Sequence, residues 1–411
     1  MTGGWLALVE SNTTGTGRLF AHRAREMGLR PLMVCADPGR YDYLEADGVD
    51  VAVADTTSPT AVAAAIRTRA GSAAAGVTTS SERAVSVTAG VAALLGLPGE
   101  NPDAMARCRD KTEQRRAMST AGLRTPAFCV CASPDAAAAA AARIGFPVVV
   151  KPAVGTGSVG VRSCGWAQEV RDWAATLLTP TRAADRAADS AVLVEEQIDG
   201  PEFSVETVGG KVLGVTATRL GRQPYFVESG HDFPADLPEA TARRIANEAL
   251  QALAALDVGV IAAHTEIRYD ADGPVVIEVN PRLAGGMIPQ LIHWAHDIDP
   301  VSAVIELATG VNAKTASQMR RYAAIRFVIP ERNGTLEEVA GLSAARRMPG
   351  VVEAMITRGA DAAFEQQHSF QDRIGHVIST AATPAAAATR ADRALRLLDI
   401  RLRPSLEGST W

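Results

Sequence analysis

Apolar and polar positions alternate in blocks along the first hundred residues. Apolar runs at residues 5–10, 31–36, 49–54 and 75–79 predict buried strands, and residues 18–28 and 59–70 have the spacing of helices. Strands that alternate with helices are typical of a parallel sheet covered by helices. We expect this first α/β unit to cover residues 1–100, because residues 97–102 are rich in turn-forming residues.

The turn after the first strand contains only part of the glycine pattern of dinucleotide-binding sites. It reads Gly15-x-Gly17-x-x-Phe20, so a bulky side chain stands where the third glycine belongs. Phe20 would block the close approach of helix and strand that such a site needs. The pattern therefore favours a structural turn, or part of a substrate pocket at the strand ends, over a nicotinamide or flavin site.

A glycine-rich loop follows an apolar strand in the middle of the chain. Residues 146–152 predict a buried strand that ends near Lys151. The loop consists of Gly155, Thr156, Gly157, Ser158, Val159 and Gly160, and residues 159–162 resemble the start of another strand. Since no Gly-Lys-Ser/Thr follows, the loop is not a Walker A motif. Glycines permit close backbone approach and successive amides can hold phosphate oxygens, which favours a flexible hairpin over phosphates; an ordinary hairpin turn is the alternative.

Oxygen-bearing side chains converge in a predicted hairpin further along the chain. Residues 264–268 and 275–280 alternate like paired strands on either side of a turn. Glu278 and Asn280 are two residues apart and so share a face, and pairing can bring Glu266 opposite them. Such hard oxygen ligands suit Mg²⁺ that also bridges phosphates. The alternative is a surface hairpin with solvated acids, but an unpaired carboxylate in so apolar a strand as 275–280 is costly.

An arginine follows this hairpin directly. Arg282 lies two residues beyond Asn280, where a guanidinium can hold a carboxylate or a developing oxyanion. A surface arginine is the alternative.

Composition excludes several classes of protein. The chain has 411 residues, 47% hydrophobic and 21% charged, which are ordinary values for two or three globular domains. Its net charge of −5 disfavours a dedicated nucleic-acid binder. Five cysteines without a CxxC pair disfavour a disulfide scaffold or zinc site and favour a reducing cytoplasm. No apolar stretch has the length of a signal peptide or a membrane span, so we expect no membrane partner.

The ordered set of these motifs resembles the ATP-grasp superfamily over roughly residues 100–300. The matching series is Lys111, Lys151, the glycine loop, Glu195 to Glu202, Glu266, and Glu278-x-Asn280-x-Arg282. Residues 278–287 (EVNPRLAGGM), 326–327 and 372–377 (DRIGHV) resemble the carboxylate–amine ligase branch, which includes the L-amino acid (dipeptide) ligases. The resemblance implies a mixed α/β and α+β fold, with a Rossmann-like domain at 1–100, ATP-grasp subdomains at 101–190 and 191–300, and a lid or C-terminal subdomain at 301–411.

The resemblance also implies a role for each motif residue. For the nucleotide, it implies that ATP phosphates are contacted by Lys111 and Lys151 and covered by the glycine loop, that the ribose is held by Glu202, and that the adenine hinge is formed by Glu195, Glu196, Gln197 and Ile198. For the metal, it implies that two Mg²⁺ are bound by Glu266, Glu278 and Asn280. For the reaction, it implies that Arg282 stabilises an acyl phosphate and the later tetrahedral intermediate. For Lys111 the alternative is a solvated basic helix face, because four arginines surround it.

Candidate substrate residues lie in three places. Glu228 can take a substrate ammonium and His231 can orient a polar group, although a structural loop is an equal alternative for residues 225–232. Arg326, in an apolar strand-like stretch, can pair with a substrate carboxylate or form a buried ion pair. Gly285 and Gly286 belong to the family-like stretch that follows Arg282.

The function that follows is ATP-dependent joining of a carboxylate to an amine, most simply two amino acids, with ADP and phosphate released. The resemblance implies specialised metabolism, small-molecule substrates and a possible homodimer. Four alternatives stay open. Two are ligases: a γ-glutamyl ligase, and a ligase for a non-amino-acid carboxylate or bicarbonate. Two come from other classes: an NAD-dependent oxidoreductase and a non-catalytic ATP-binding regulator.

Overall fold

The amino-terminal region is a parallel sheet covered by helices. The computed structural model describes residues 3–13, 16–155, 157–179, 191–315 and 319–404. Strands β1 (Trp5–Val9), β2 (Arg30–Cys35), β3 (Asp50–Val53) and β4 (Ala74–Thr78) lie in the order β3-β2-β1-β4, and each neighbouring pair is parallel. The helices are α1 (Gly17–Glu26), α2 (Tyr43–Ala46), α3 (Pro59–Ala70) and α4 (Val85–Leu95). The alternation of apolar runs therefore predicted this unit correctly.

Local sequence sets the ends of these helices. Helix α3 begins at Pro59 because the side chain of Ser58 accepts a hydrogen bond from the backbone of Ala61. Helix α4 ends where Gly96 adopts a left-handed conformation. Two further helices, α5 (Pro102–Arg109) and α6 (Lys111–Thr120), lead out of this unit, and the carboxylate of Asp110 caps the first turn of α6. That cap fixes Lys111 at the start of a helix.

A four-stranded antiparallel sheet carries the glycine-rich loop. Its order is β5-β8-β6-β7, built from β5 (Phe128–Cys131), β6 (Val148–Pro152), β7 (Arg162–Cys164) and β8 (Val192–Glu196). Helices α7 (Pro134–Ile144) and α8 (Ala167–Leu178) pack on it. The alanine run lies in α7, where Ala137 and Ala141, one turn apart, are fully buried. The small side chains let this helix approach the sheet closely.

A third sheet consists of eight antiparallel strands. Its order is β13-β12-β9-β10-β11-β14-β18-β16. The bounds are β9 (Glu202–Val208), β10 (Lys211–Leu220), β11 (Glu228–Phe233), β12 (Ala262–Asp270), β13 (Gly273–Asn280), β14 (Tyr322–Val328), β16 (Val351–Ile356) and β18 (Gly375–Ala381); a small sheet contains β15 (Gly334–Ala340), β17 (Ala363–Phe364) and β19 (Asp399–Arg403). The domain boundary expected at residue 300 falls inside the large sheet.

Helices cover this sheet and complete the chain. They are α9 (Glu239–Leu256), α10 (Ile288–Ala295), α11 (Pro300–Ala308), α12 (Leu342–Arg347) and α13 (Pro384–Leu395). The five cysteines are free thiols. Within the described ranges, none of the helices has the length and apolarity needed to cross a membrane.

Candidate active site

Along β9, one face of the eight-stranded sheet is apolar and the other is polar. On β9, Phe203 and Val205 join the core beneath α9. Because side chains alternate along a strand, Glu202, Ser204 and Glu206 point to the opposite face. The polar face of the sheet is the floor of the candidate active site.

The three predicted metal-ligand residues meet on this floor. In the register of β12 and β13, Glu266 lies directly opposite Glu278, and His264 lies opposite Asn280. Glu278 and Asn280 share one face of β13 because they are two residues apart. The predicted hairpin is therefore confirmed. No group of three or more His, Cys, Asp or Glu side chains in the described ranges could hold a metal ion.

Lys111 neutralises one of these carboxylates. Its Nζ lies 2.8 Å from Oε1 of Glu278 and donates to the carbonyl of Gly155 over 2.7 Å. Burial opposes both charges, but the attraction of Glu278 and Glu82 raises the pKa of Lys111, and Lys111 and Lys151 hold the pKa of Glu278 below its usual range. The lysine is 6% exposed, so the alternative of a solvated helix face is wrong.

A buried ion cluster lies beneath Lys151. Its Nζ is 2.5 Å from one oxygen of Glu195, and Nε of Arg115 is 2.8 Å from the other. Arg115 also donates to the carbonyl of Ile277 over 2.5 Å, beside Glu278. Burial would raise the pKa of Glu195, but Arg115 and Lys151 outweigh it and lower that pKa. The cluster therefore joins strand β8 to strand β13, which carries Glu278.

The predicted adenine hinge covers the last two residues of β8 and the two residues after it. The carboxylate of Glu196 accepts a hydrogen bond from the backbone N–H of Ala127 over 3.2 Å. The side-chain oxygen of Gln197 accepts one from the hydroxyl of Ser163 over 2.5 Å, and Ser163 belongs to the strand after the glycine-rich loop. The predicted hinge is thus in direct contact with the strand that follows the loop.

Glu202 is held by an arginine that the sequence analysis did not single out. Nη2 of Arg268 lies 3.0 Å from the Glu202 carboxylate, and Nη1 donates to the carbonyls of Ile198 and Gly200 over 3.4 and 3.2 Å. Burial raises the pKa of Glu202 to about 7, although Arg268 opposes that shift. Arg268 therefore connects Glu202, which is predicted to bind the ribose, to the predicted adenine hinge.

The glycine-rich loop joins β6 to β7 as a hairpin, as its sequence context predicted. Gly157, Ser158 and Gly160 all have positive φ, the region that glycine adopts without strain. Val159 is exposed. Thr156, also predicted to bind nucleotide, lies outside the described residues.

Arg282 pairs with a carboxylate from the amino-terminal sheet. Its Nη2 lies 2.5 Å from Oε2 of Glu82, and its Nη1 donates to the carbonyl of Leu283 over 3.0 Å. Glu82 follows β4, at the edge where the carboxyl ends of the parallel strands meet. The sequence analysis missed Glu82, although functional groups commonly lie at that edge of an open α/β sheet.

His231 packs against Gly286. His231 is 1% exposed and its Nε2 has no hydrogen-bond partner among the described residues. A Cβ on Gly286 would stand 2.6 Å from that nitrogen, so only glycine fits there, whereas a Cβ on Gly285 would meet nothing. Glu228, which lies 3.7 Å from His231, forms an ion pair with Arg373. Burial lowers the pKa of His231 to about 4, so its imidazole is neutral at pH 7.

Comparison with known proteins identifies the family. Residues 144–290 match the model of the ATP-grasp domain, and residues 326–403 match that of the L-amino acid ligase C-terminal domain 2. Over 401 residues, the chain is 34% identical to uncharacterized protein y4rH of Sinorhizobium fredii, a match that covers 97% of this chain and 83% of that protein. The chain belongs to the ATP-grasp superfamily.

Two further relatives place the chain within this superfamily. It is 34% identical over 194 residues to the D-alanine–D-alanine ligase of Stutzerimonas stutzeri, covering 45% of this chain and 59% of that enzyme. The solved L-amino acid ligase from Bacillus licheniformis superposes with a TM-score of 0.82 at 23% identity, covering 98% of this chain and all of that one. The expected ATP-grasp fold is therefore confirmed, and the chain is a ligase of a superfamily whose members use ATP.

The structure corrects the placement of Arg326 in this ATP-grasp ligase. In the register of β11 and β14, Ile325 lies opposite His231, so Arg326 points to the other face of the sheet. There its Nη1 lies 2.9 Å from Asp232 and its Nε 2.5 Å from Asp392 of α13. Arg326 therefore forms a buried ion pair, which was the alternative prediction. A substrate on the polar face does not reach it.

The sequence analysis also left His264 without a role. Its Nδ1 is 2.7 Å from Glu206 and its Nε2 is 3.4 Å from Glu266. Burial disfavours a charged imidazole, but Glu206 and Glu266 outweigh burial and raise the pKa of His264 to about 10. The ring therefore carries a positive charge between two carboxylates on the floor.

The ion pair of Glu228 makes stability depend on pH. Burial would raise the pKa of Glu228, but Arg373 and His231 outweigh it and lower that pKa from 4.5 to about 2. A carboxyl with a lower pKa in the folded state stabilises the protein above its unfolded pKa, and this contribution is lost as the pH falls toward the folded pKa.

We therefore expect the stability advantage of the native protein over Glu228→Gln to shrink between about pH 5 and about pH 3. Urea unfolding followed by circular dichroism at a series of pH values measures this difference. Glu338→Gln, at an exposed carboxyl of β15, is the control. A difference for Glu228→Gln that stays constant over this range would contradict the assigned pKa.

Proposed function

We propose that this ATP-grasp ligase forms an amide bond between two amino acids through an acyl phosphate, with ATP converted to ADP and phosphate. The observation that carries the proposal is the position of Arg282, at the end of the strand that bears Glu278 and Asn280. Gly286, which packs against His231, follows four residues later in the chain. Arg282 thus stands in the chain between the predicted metal-binding residues and the predicted substrate residues.

The nucleotide lies between the two sheets in this proposal. Lys111 and Lys151 face its phosphates, and the glycine-rich loop covers them. The backbone at 195–198 meets the adenine, and Glu202 meets the ribose. The support for these roles is the contact network that joins loop, hinge and floor: Gln197 with Ser163, Arg268 with Glu202, and Lys111 with Gly155.

The donor set fits a hard divalent cation. Glu266 and Glu278 are cross-strand neighbours, and their negative charges are offset by His264 and Lys111. Carboxylate and amide oxygens are the ligands that Mg²⁺ takes in proteins, usually together with substrate phosphates. We assign Glu266, Glu278 and Asn280 to Mg²⁺, which when bound offsets negative charge on the transferring phosphoryl group.

The reaction then proceeds in two transfers. An oxygen of the first amino acid's carboxylate attacks the γ-phosphorus in line, while the bond from that phosphorus to the bridging oxygen of ADP breaks. The amine of the second amino acid attacks the activated carbonyl carbon, phosphate leaves, and the amine loses a proton. Arg282 holds the acyl phosphate and donates to the carbonyl oxygen that becomes negative when the amine attacks. The glycine-rich loop excludes water that would hydrolyse the acyl phosphate.

We assign the first amino acid to a site formed by Glu228, His231 and Gly286, which we call the acid pocket. Glu228 is ionised at neutral pH and can hold an ammonium group once it shares its charge with Arg373. The neutral imidazole of His231 has a free nitrogen directed toward Gly286. A buried nitrogen without a partner is costly, so a polar group of the substrate would satisfy it.

Phosphate release from ATP and Mg²⁺ with all pairs of proteinogenic amino acids tests the proposal. Release that needs two amino acids, yields a product with the mass of the dipeptide, and disappears in Glu278→Ala would support it. Release with a single acid and hydroxylamine would indicate another carboxylate–amine pairing. No release with any pair would refute the amino acid pair and leave non-amino-acid carboxylates and bicarbonate to test. Light scattering on the same sample tests the expected homodimer.

A further inference from the structure

Besides Lys111 of α6, two segments from outside its own sheet contact the hairpin that carries the glycine-rich loop. One segment precedes β11: the backbone N–H of Ser163 donates to the carbonyl of Pro224 over 2.8 Å, and Arg162 forms an isolated antiparallel bridge with Tyr225. The other segment is residues 368–373 of the C-terminal region. The position of the hairpin thus depends on contacts made far away along the chain.

Phe370 lies directly against the loop. Its backbone N–H donates a long hydrogen bond of 3.4 Å to the carbonyl of Gly157. Its ring fills the space that a Cβ on residue 157 would need. Gly157 has a φ of +64°. Both this conformation and the lack of room for a Cβ therefore favour glycine at this position. The ring therefore sets how far this part of the loop can move toward the C-terminal region.

A row of aromatic rings extends this contact to the far end of the loop. His368 stacks on Tyr225 with ring centres 3.8 Å apart and planes inclined by 4°. Tyr225 meets Trp173 edge-on at 6.3 Å, and the indole N–H of Trp173 donates to the carbonyl of Gly160 over 3.0 Å. Both ends of the stretch 157–160 of the loop are therefore connected to residues 368–370.

The segment 368–373 is itself fixed. Ser369 and Asp372 are almost fully buried and form a capping box, in which each side chain accepts from the other end of a single turn. The carboxylate of Asp372 also accepts from the backbone N–H of Gln367 over 2.6 Å. A segment held in this way can support the loop and transmit a shift from one of its ends to the other.

Its other end reaches the acid pocket. Arg373 pairs with Glu228, and its guanidinium lies 3.9 Å from the ring centre of Phe327. The same guanidinium stands 3.6 Å from the position of a Cβ on Gly286. A substrate ammonium at Glu228 would compete with Arg373 for that carboxylate, and Arg373 is three residues from Phe370.

We infer that residues 368–373 couple occupancy of the acid pocket to the position of the glycine-rich loop, with Phe370 as the positioning residue. The identity of the pocket's ligand rests on the proposed function, whereas the contact of Phe370 with the loop does not. Coupling of this kind is reciprocal: an amino acid at Glu228 tightens the binding of nucleotide, and nucleotide tightens the binding of that amino acid by the same factor.

The test compares Phe370→Ala and Phe370→Leu with the native chain. Phe370 is only half-buried, so we expect both variants to fold, with melting temperature as the check. Trp166→Ala removes an exposed aromatic ring next to the same hairpin and is the matched control. The readouts are hydrogen exchange of the amides at 157–163, and the affinity for a non-hydrolysable ATP analogue with Mg²⁺, with and without a mixture of the twenty amino acids.

We expect the amino acid mixture to tighten analogue binding by about tenfold in the native chain, a typical coupling between sites. In Phe370→Ala this factor should fall to nearly one and exchange at 157–163 should become faster. Phe370→Leu should keep most of both effects, and Trp166→Ala should match the native chain.

Each other outcome removes a definite part of the inference. If the amides at 157–163 exchange hydrogen in Phe370→Ala at the same rate as in the native chain, the ring does not position the loop. If these amides exchange faster in Phe370→Ala but the amino acid mixture still tightens analogue binding as much as in the native chain, only the coupling is refuted. If amino acids leave the native affinity unchanged, the coupling fails together with the proposed substrate class, while the exchange result still decides the role of Phe370.

Discussion

Arg282→Ala is expected to lower the rate of amide synthesis by about 10²–10³-fold, the usual cost of removing one donor to a developing oxyanion. Binding of an ATP analogue should be unchanged, because Arg282 lies beyond the end of β13 and pairs with Glu82 rather than with any group that we assign to the nucleotide. Product formation measured by mass spectrometry, together with analogue titration, separates the two effects.

Removing Arg282 also leaves the Glu82 carboxylate without its partner, which by itself can disturb the fold. The double variant Glu82→Gln/Arg282→Ala controls for this, since it removes both charges. Arg320→Ala removes an exposed arginine that pairs with Asp297 at a similar distance, and it should keep full activity. An Arg282→Ala variant that synthesises amide at the native rate would rule out the assigned role.

Glu278→Gln is expected to reduce ATP turnover by about 10³-fold, since charge stabilisation by a bound metal contributes several kcal/mol to phosphoryl transfer. The amide keeps the shape of the side chain but loses the charge that faces Lys111 and the metal. Phosphate release measures the loss of activity, and electron paramagnetic resonance of Mn²⁺ in the presence of ADP measures metal binding independently of activity.

Two further variants make the Glu278 experiment specific. Glu278→Gln/Lys111→Met removes both members of the buried pair and so distinguishes metal loss from an unpaired lysine. Glu338→Gln changes an exposed carboxyl of β15 and should have no effect. Native Mn²⁺ binding by Glu278→Gln would remove this residue from the metal site.

Local patterns in the sequence were sufficient for the elements that carry the chemistry. The hairpin of Glu266 and Glu278 follows from alternation on either side of a turn, and the strand register bears it out. The glycine-rich loop was predicted to be followed by a strand rather than a helix, and β7 begins two residues after Gly160. Both depend on residues that are neighbours along the chain, where periodicity carries information.

Partners that are distant along the chain could not be predicted in the same way. Arg115 and Glu195 are 80 residues apart, and Glu82 and Arg282 are 200 apart. Nothing near Arg115 distinguishes it from the other arginines of its region, because an ion pair is decided by where the fold brings the two charges. These pairs became visible only once three sheets had been placed around one site.

Arg326 shows a different limit of sequence patterns. Alternation along β14 correctly indicates that neighbouring residues face opposite sides of a sheet. It does not indicate which side faces the substrate when both are buried. Ile325 and Phe327 share the side of His231, whereas Arg326 meets Asp232 and α13 on the other. A charged residue in an apolar strand thus marked a structural ion pair.

The continuity of the large sheet limits how this enzyme can be engineered. Strand β14 pairs along the length of β11, so a truncation near residue 300 would expose the edge of the strand that carries His231. Exposed strand edges promote aggregation. Recombination with another ligase to change its substrate would have to exchange β14, β16 and β18 together with the acid pocket, or keep all of them. The unit available for recombination is therefore larger than the boundaries of the matched family domains suggest.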